Sequence, residues 1–405
     1  MCIANCLELI DVRPKGRKSH EFCEFNRLSG LATGKECTEK FYFDERNNKI
    51  VLCSVITDLS GKWNDFNLLD LLKSRECTHI SLAPLLIFNQ MTNSLVKNMP
   101  AIQELKETIR FAGTFKTKML VEIGSWDDSL MSPESLSKVA ASNELTAKFS
   151  DELQQFIREY SLDGVFITWQ YPTCPKHTCN PGVPQDRANV VTLMQSLKNA
   201  LPPSRKMILL SLPPYPDALK GFNFSALEPI VDFFPVYSFN YGFHSLPVVK
   251  QISPLPDQKH IVESIVAKQG SYSKLIIGVP SIIEYFVLSD KKYNKVGAPQ
   301  QAFKGGWIPI AEGCKRIKNG SYSIVRDPYA SNYATLNTEW FSFEDHASMG
   351  RKVDFVKLHN IAGIWIKHAV GDDFKGECGC GIRPFTRMIA ELLRTEGGCT
   401  YVTCP

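Results

Sequence analysis

The chain has 405 residues, of which 44% are hydrophobic, 22% charged and 11% aromatic. That length and apolar content exclude a disordered polymer and predict a sizeable packed core, either one large barrel with additions or a few smaller units. The 46 basic and 42 acidic residues leave a formal charge of +4 without a long block of one sign, so neither nucleic acid nor an anionic membrane is expected as a partner. The longest charge-poor stretch, residues 81–96, is interrupted by Asn89, Gln90, Thr92, Asn93 and Ser94. It reads as a buried strand with its exit loop, and no membrane span is expected.

In chain order, residues 1–48 come first, with four cysteines, many charges and little periodicity; they read as a separate Cys-rich segment. Short apolar runs suited to buried parallel strands then recur at residues 50–56, 79–87, 118–123, 164–169, 206–212, 231–239, 274–279 and 362–367. Between them lie amphipathic segments such as 101–111, 145–160, 188–201 and 258–268, whose apolar residues recur three and four apart. This alternation predicts an α/β fold, a (β/α)8 TIM barrel over residues 49–395. Between 281 and 350 the rhythm breaks and Gly, Pro and aromatic residues dominate, as in Gly305-Gly306-Trp307-Ile308-Pro309. A small α+β insertion between the seventh and eighth strands is expected there. Residues 396–405, with Cys399 and Cys404, read as a terminal clip.

Thirteen cysteines, crowded towards the two ends, predict an oxidising, extracellular setting. The sequons Asn223-Phe-Ser225 and Asn319-Gly-Ser321 predict glycosylation at Asn223 and Asn319. The opening Met-Cys-Ile-Ala-Asn-Cys has no basic start followed by an apolar run, so no secretion leader is visible in it. The cluster Cys174-Pro-Lys-His177-Thr-Cys179 lacks a second ligand group at zinc spacing and reads as a local disulfide; no metal and no cofactor is expected.

At the fourth predicted strand the chain reads Asp163-Gly164-Val165-Phe166-Ile167-Thr168-Trp169-Gln170-Tyr171-Pro172. This resembles the Asp-Gly-x-Asp-x-Asp-Trp-Glu-Tyr-Pro signature of glycoside hydrolase family 18, which contains the chitinases. The segment Lys118 to Trp126 is similar to that family's third-strand pattern ending Ser-Ile-Gly-Gly-Trp. Further motifs, in residues 274–280, 296–299, 339–345 and 372–374, follow in family order, so the resemblance spans roughly residues 50 to 395.

The resemblance implies a mechanism that needs acids. Alternate strand residues share a face, so the inner acids of the signature project into the barrel mouth, and the final Glu protonates the glycosidic oxygen. The substrate's own N-acetyl oxygen then attacks the anomeric carbon. Here the inward positions are Phe166, Thr168 and Gln170. A carboxamide has no proton to exchange near neutral pH, so Gln170 can hydrogen-bond a sugar but cannot be the general acid. The tyrosine and aspartate that grip the N-acetyl group correspond to Phe239 and Asn240. Lys367 stands where family members carry the tryptophan that floors the sugar, and Trp365 lies two residues earlier on the same face. The resemblance also implies disulfides Cys53 to Cys77 and Cys314 to Cys378. Asp163 is expected to hold a turn or neighbouring backbone.

The expectation is therefore a secreted, chitinase-like pseudoenzyme, with two classes of function open. In one it is a lectin-like module that binds chitin, chito-oligosaccharides or another glycan through Trp126, Trp169, Gln170, Tyr171 and Asn240. In the other the barrel is a scaffold whose loops or insertion bind a protein receptor or matrix partner. Residual hydrolysis would require acids recruited from elsewhere, such as Asp127, Asp128 or Glu284. The N-terminal residues His20 to Cys23, Gly30, Cys37 and Phe41 to Asp44 are similar in spacing to peritrophin-type chitin-binding modules. Thr38 and Phe41 depart from that pattern, and a stapled cap with no ligand is the other reading.

Overall fold

A computed structural model describes residues 49–56, 66–124, 131–177, 179–180, 182–201, 206–239, 247–327 and 331–394. Its centre is built from eight parallel strands rich in Val, Ile and Leu: β1 (Ile50–Ile56), β2 (His79–Ala83), β3 (Lys118–Ile123), β4 (Gly164–Ile167), β5 (Met207–Leu210), β6 (Phe234–Val236), β7 (Leu275–Pro280) and β8 (Gly363–Lys367). Strands this apolar are stable only when covered on both faces. Helices such as Met99–Ala112, Asn143–Glu159, Asp186–Ala200 and Leu255–Val266 supply the outer cover.

The hydrogen-bonded order is β5-β4-β3-β2-β1-β8-β7-β6. Its two ends meet through the parallel bridges Leu209–Phe233 and Leu212–Val236, which complete the ring of a (β/α)8 TIM barrel. Local sequence fixes the helix starts. Asn67, Ser132 and Ser142 accept backbone N–H bonds as N-caps, and Asp345 forms a capping box with Ser348. At the base of β4, Asp163 accepts from Met119 N at 2.9 Å and from Lys118 Nζ at 3.0 Å, so this carboxylate ties β4 to β3.

Two segments differ from the pattern read in the sequence. The second apolar run ends at Ala83, because Pro84 offers no N–H to continue the ladder; Leu86–Asn89 instead pairs with Ser94–Lys97 in a separate hairpin. Between β7 and β8 an antiparallel sheet joins Ile283–Val287, Gly306–Ile308, Ser323–Val325, Asn332–Leu336 and Glu339–Phe343, with the helix Ile310–Asn319 beside it. The next helix, His346–Leu358, begins inside the span read as insertion, yet Met349, Val353 and Val356 bury it in the main barrel core.

Cys53 pairs with Cys77, Cys174 with Cys179 and Cys314 with Cys378. The last of these staples the insertion's helix to the chain beyond β8. Among the described residues no helix is long and apolar enough to cross a membrane.

Candidate functional site at the barrel mouth

The two-residue period of each strand decides what the lumen contains. Ile50 and Leu52 from β1, Leu120 from β3, Phe166 from β4, Leu209 from β5, Ile276 from β7 and Trp365 from β8 point inward and pack as one cluster, joined by Phe239 just beyond β6. The Trp365 ring meets Phe166 edge-on at 5.3 Å, Tyr237 at 4.7 Å and Phe239 at 5.7 Å. Gly278 makes room for this packing: a Cβ there would lie 2.4 Å from Val236 O and 2.7 Å from Phe239 Cε1. The barrel is thus filled to its upper layer with aromatic side chains.

Above them sits a polar layer. Glu122, the next inward residue of β3 after Leu120, accepts from Ser54 Oγ at 2.8 Å, from Ser81 Oγ at 2.7 Å and from Lys367 Nζ at 2.7 Å. Trp365 Nε1 donates to Ser54 Oγ at 2.8 Å, which links the aromatic plug to the ionic layer. The Lys367 ammonium also lies 5.9 Å from the Tyr237 ring centre and 5.3 Å from that of Trp365. Burial works against its charge, but the Glu122 carboxylate and the Tyr237 hydroxyl outweigh burial and raise its pKa above the ordinary lysine value. Burial raises the Tyr237 phenol as well, so that group stays a neutral hydroxyl, hydrogen-bonded to Gln170 and Lys367. The sequence signal for this layer was present in principle: Glu122 is a lone acid inside an apolar strand, and Lys367 is a lone base at the end of another.

The inward positions of the β4 motif carry no ionisable acid. Phe166 is fully buried in the lumen cluster. Thr168 donates its hydroxyl to Gly124 O at 2.7 Å and to Ile123 O at 3.1 Å, so it serves backbone at the end of β3. Gln170 is 3% exposed.

Two of the side chains expected to border a ligand lie elsewhere. Trp169, at 0% exposure, and Tyr171, at 1%, pack in the core between the strands and the outer helices, because the residues between inward positions must point outward. Their rings offer no face to a ligand in this conformation. Trp126, Asp127, Asp128 and Asn240 lie outside the described residues.

At the rim, Trp307 is the exposed aromatic that sequence reading passed over. It belongs to strand Gly306–Ile308 of the insertion, is 40% exposed, and stacks on His368 at 5.2 Å and 25°. His368 follows Lys367 directly, so this pair marks the upper edge of β8. Burial and the neighbouring Lys367 charge push the His368 imidazole down to about 3, which leaves it neutral at physiological pH. Glu284, opposite Trp307 in the sheet register, is 2% exposed, and burial pushes its carboxyl well above the usual range. The phenol of Tyr215 is pushed up to about 12 by burial and by the Glu284 charge.

A closed (β/α)8 barrel with an α+β insertion after the seventh strand defines the fold class. The chain belongs to the glycosyl hydrolases family 18, whose model matches residues 47–373. Among curated relatives it is 25% identical over 304 residues to probable chitinase 10 of Drosophila melanogaster, an alignment covering 69% of this chain and 13% of that protein. It is 22% identical over 337 residues to probable chitinase 2 of the same species, covering 75% and 67%. The fold is similar to catalytic domain 2 of the group II chitinase of Ostrinia furnacalis, with a TM-score of 0.79 at 20% identity over 88% of this chain and 99% of that one. It is also similar to human YKL-39, with a TM-score of 0.73 at 19% identity over 86% and 100%. YKL-39 is described as a pseudo-chitinase with retained chitooligosaccharide binding properties.

Proposed function

We propose that this chain is a non-catalytic member of the family that binds a chito-oligosaccharide-like glycan at the rim of its barrel without cleaving it. The observation that carries the reading is the composition of the mouth. Phe166, Thr168 and Gln170 offer no general acid, and the carboxylate that does face the lumen, Glu122, is tied to Lys367 at 2.7 Å. Its oxygens already accept from that ammonium and from two serine hydroxyls, and at 4% exposure it is closed to a glycosidic oxygen. Glu284 is 2% exposed, and that burial removes it from a substrate's reach.

The exposed ring of Trp307, seated on His368 at the end of β8, supports binding at the rim, since an indole face suits the apolar face of a pyranose. Retained binding by the pseudo-chitinase YKL-39 supports the same ligand class. Three disulfides among the described residues support an oxidising, extracellular setting. Titration calorimetry with chitohexaose tests the binding: saturable micromolar heat, lost in Trp307→Ala, is expected. No heat at millimolar sugar would overturn it. The second reading, a scaffold that presents its loops to a protein partner, is favoured by the burial of Trp169 and Tyr171.

A further inference from the structure

We propose that residues 289–305 of the insertion form a docking surface for an acidic polysaccharide, one bearing sulfate or carboxylate groups. The proposal does not depend on chito-oligosaccharide binding at the rim. The segment carries four lysines, Lys291, Lys292, Lys295 and Lys304, against one acid, Asp290. All four lysines are exposed, and none of them is ion-paired among the described residues. Elsewhere on the described surface, cations such as Lys97, Lys118, Lys315 and Arg316 sit against carboxylates. This loop therefore concentrates uncompensated positive charge in a chain whose overall balance is nearly even.

Two large aromatic residues stand among the lysines. Tyr293 is 63% exposed and Phe303 79%, although rings of this size are ordinarily drawn into the core. Exposed rings and ammonium groups carried on one loop suit a polymer that offers pyranose faces and anionic substituents together.

The loop is also held in shape before any partner arrives. Ser289 N donates to Pro299 O at 2.9 Å, Gln301 N to Val287 O at 2.8 Å and Gly297 N to Val249 O at 2.9 Å. Beneath it, the buried Trp340 donates Nε1 to Asn294 O at 3.1 Å. A pre-shaped loop loses little freedom on binding, which favours affinity per contact.

Binding of a fluorescent heparin dodecasaccharide, read by anisotropy, tests the proposal. If the four lysines each displace a counterion, a roughly fourfold rise in salt weakens binding by roughly 100-fold, taking the slope from polyanionic nucleic acid. Reversal of all four, Lys291→Glu, Lys292→Glu, Lys295→Glu and Lys304→Glu, is expected to abolish binding. The same reversal at exposed Lys73, Lys106, Lys116 and Lys268 is expected to leave most of it. Tyr293→Ser with Phe303→Ser keeps the charge and is expected to weaken what remains at high salt, with melting temperatures confirming that all variants fold. Equal losses in both charge-reversed proteins would overturn the proposal in favour of general cation exchange. So would binding to anionic phospholipid vesicles without binding to the polysaccharide. Chitohexaose binding at the rim is expected to survive the loop reversals, so this proposal and the rim reading fail separately.

Discussion

Lys367 Nζ at the end of β8 lies 2.7 Å from Glu122 Oε1 on β3, joining strands that two others separate in the order of the ring. The pair spans the barrel where an open cleft would need space, and Ser54 and Ser81 complete the shell of the carboxylate. In a site this dry, each charge depends on the other.

Removing one partner should therefore cost more than removing both. Lys367→Met is expected to destabilise the fold by about 3 to 5 kcal/mol, because it leaves Glu122 buried with only hydroxyl donors. The double variant Lys367→Met with Glu122→Gln is expected to recover more than half of that loss. Urea unfolding measures both. A single variant as stable as the parent would show that the pair contributes nothing.

Restoring an acid at the end of the β4 motif should not restore hydrolysis. In Gln170→Glu the new carboxyl would follow Phe166 and a Thr168 hydroxyl already committed to backbone oxygens, at a position only 3% exposed. Release of nitrophenol from a chromogenic chitobioside by that variant is expected to equal the no-protein rate. Turnover above it would contradict the view that several positions, and not one, separate this mouth from a working one.

The strands and the closed barrel were legible because burial on both faces leaves continuous apolar runs, and residues 50–56 and 118–123 end where β1 and β3 end. The β4 motif was legible because its flanking residues keep their spacing. Which way each ring points was harder. Trp169 and Tyr171 alternate with the inward positions, so the period that places Gln170 inside places them outside, among the helices. The Glu122–Lys367 contact was hidden for another reason: 245 residues separate the two, and only closure of the ring brings β3 and β8 within reach. Trp307 gave no periodic signal, since its strand has three residues.

Burial of His368 predicts a pH dependence. Its folded pKa, down to about 3, lies below the unfolded value near 6.5, so the unfolded chain binds the extra proton as pH falls through that window. The contribution is complete above about pH 6.5 and is lost progressively towards pH 3. Buried carboxyls such as Asp372 are raised and act in the opposite sense, so the comparison must be with His368→Asn, which tolerates the left-handed backbone at φ 58°. The stability difference between parent and variant is expected to shift in the variant's favour as pH drops from about 7 to about 4.5. A difference independent of pH would refute the assignment.

The two sequons are not equally accessible. Asn319 ends the helix Ile310–Asn319 and is exposed, whereas Asn223 is half-buried at the start of Phe224–Leu227. In a secretory host, Asn319→Gln is expected to remove more enzymatically releasable glycan mass than Asn223→Gln. Equal losses by mass spectrometry would contradict this.

The central claim, a barrel of this family that does not cut, is tested most directly by following chitohexaose by mass spectrometry during prolonged incubation with equimolar protein. The account predicts that the hexamer is recovered intact at every pH from 4 to 8. Stoichiometric or greater release of dimers and trimers, absent from a no-protein control, would contradict it.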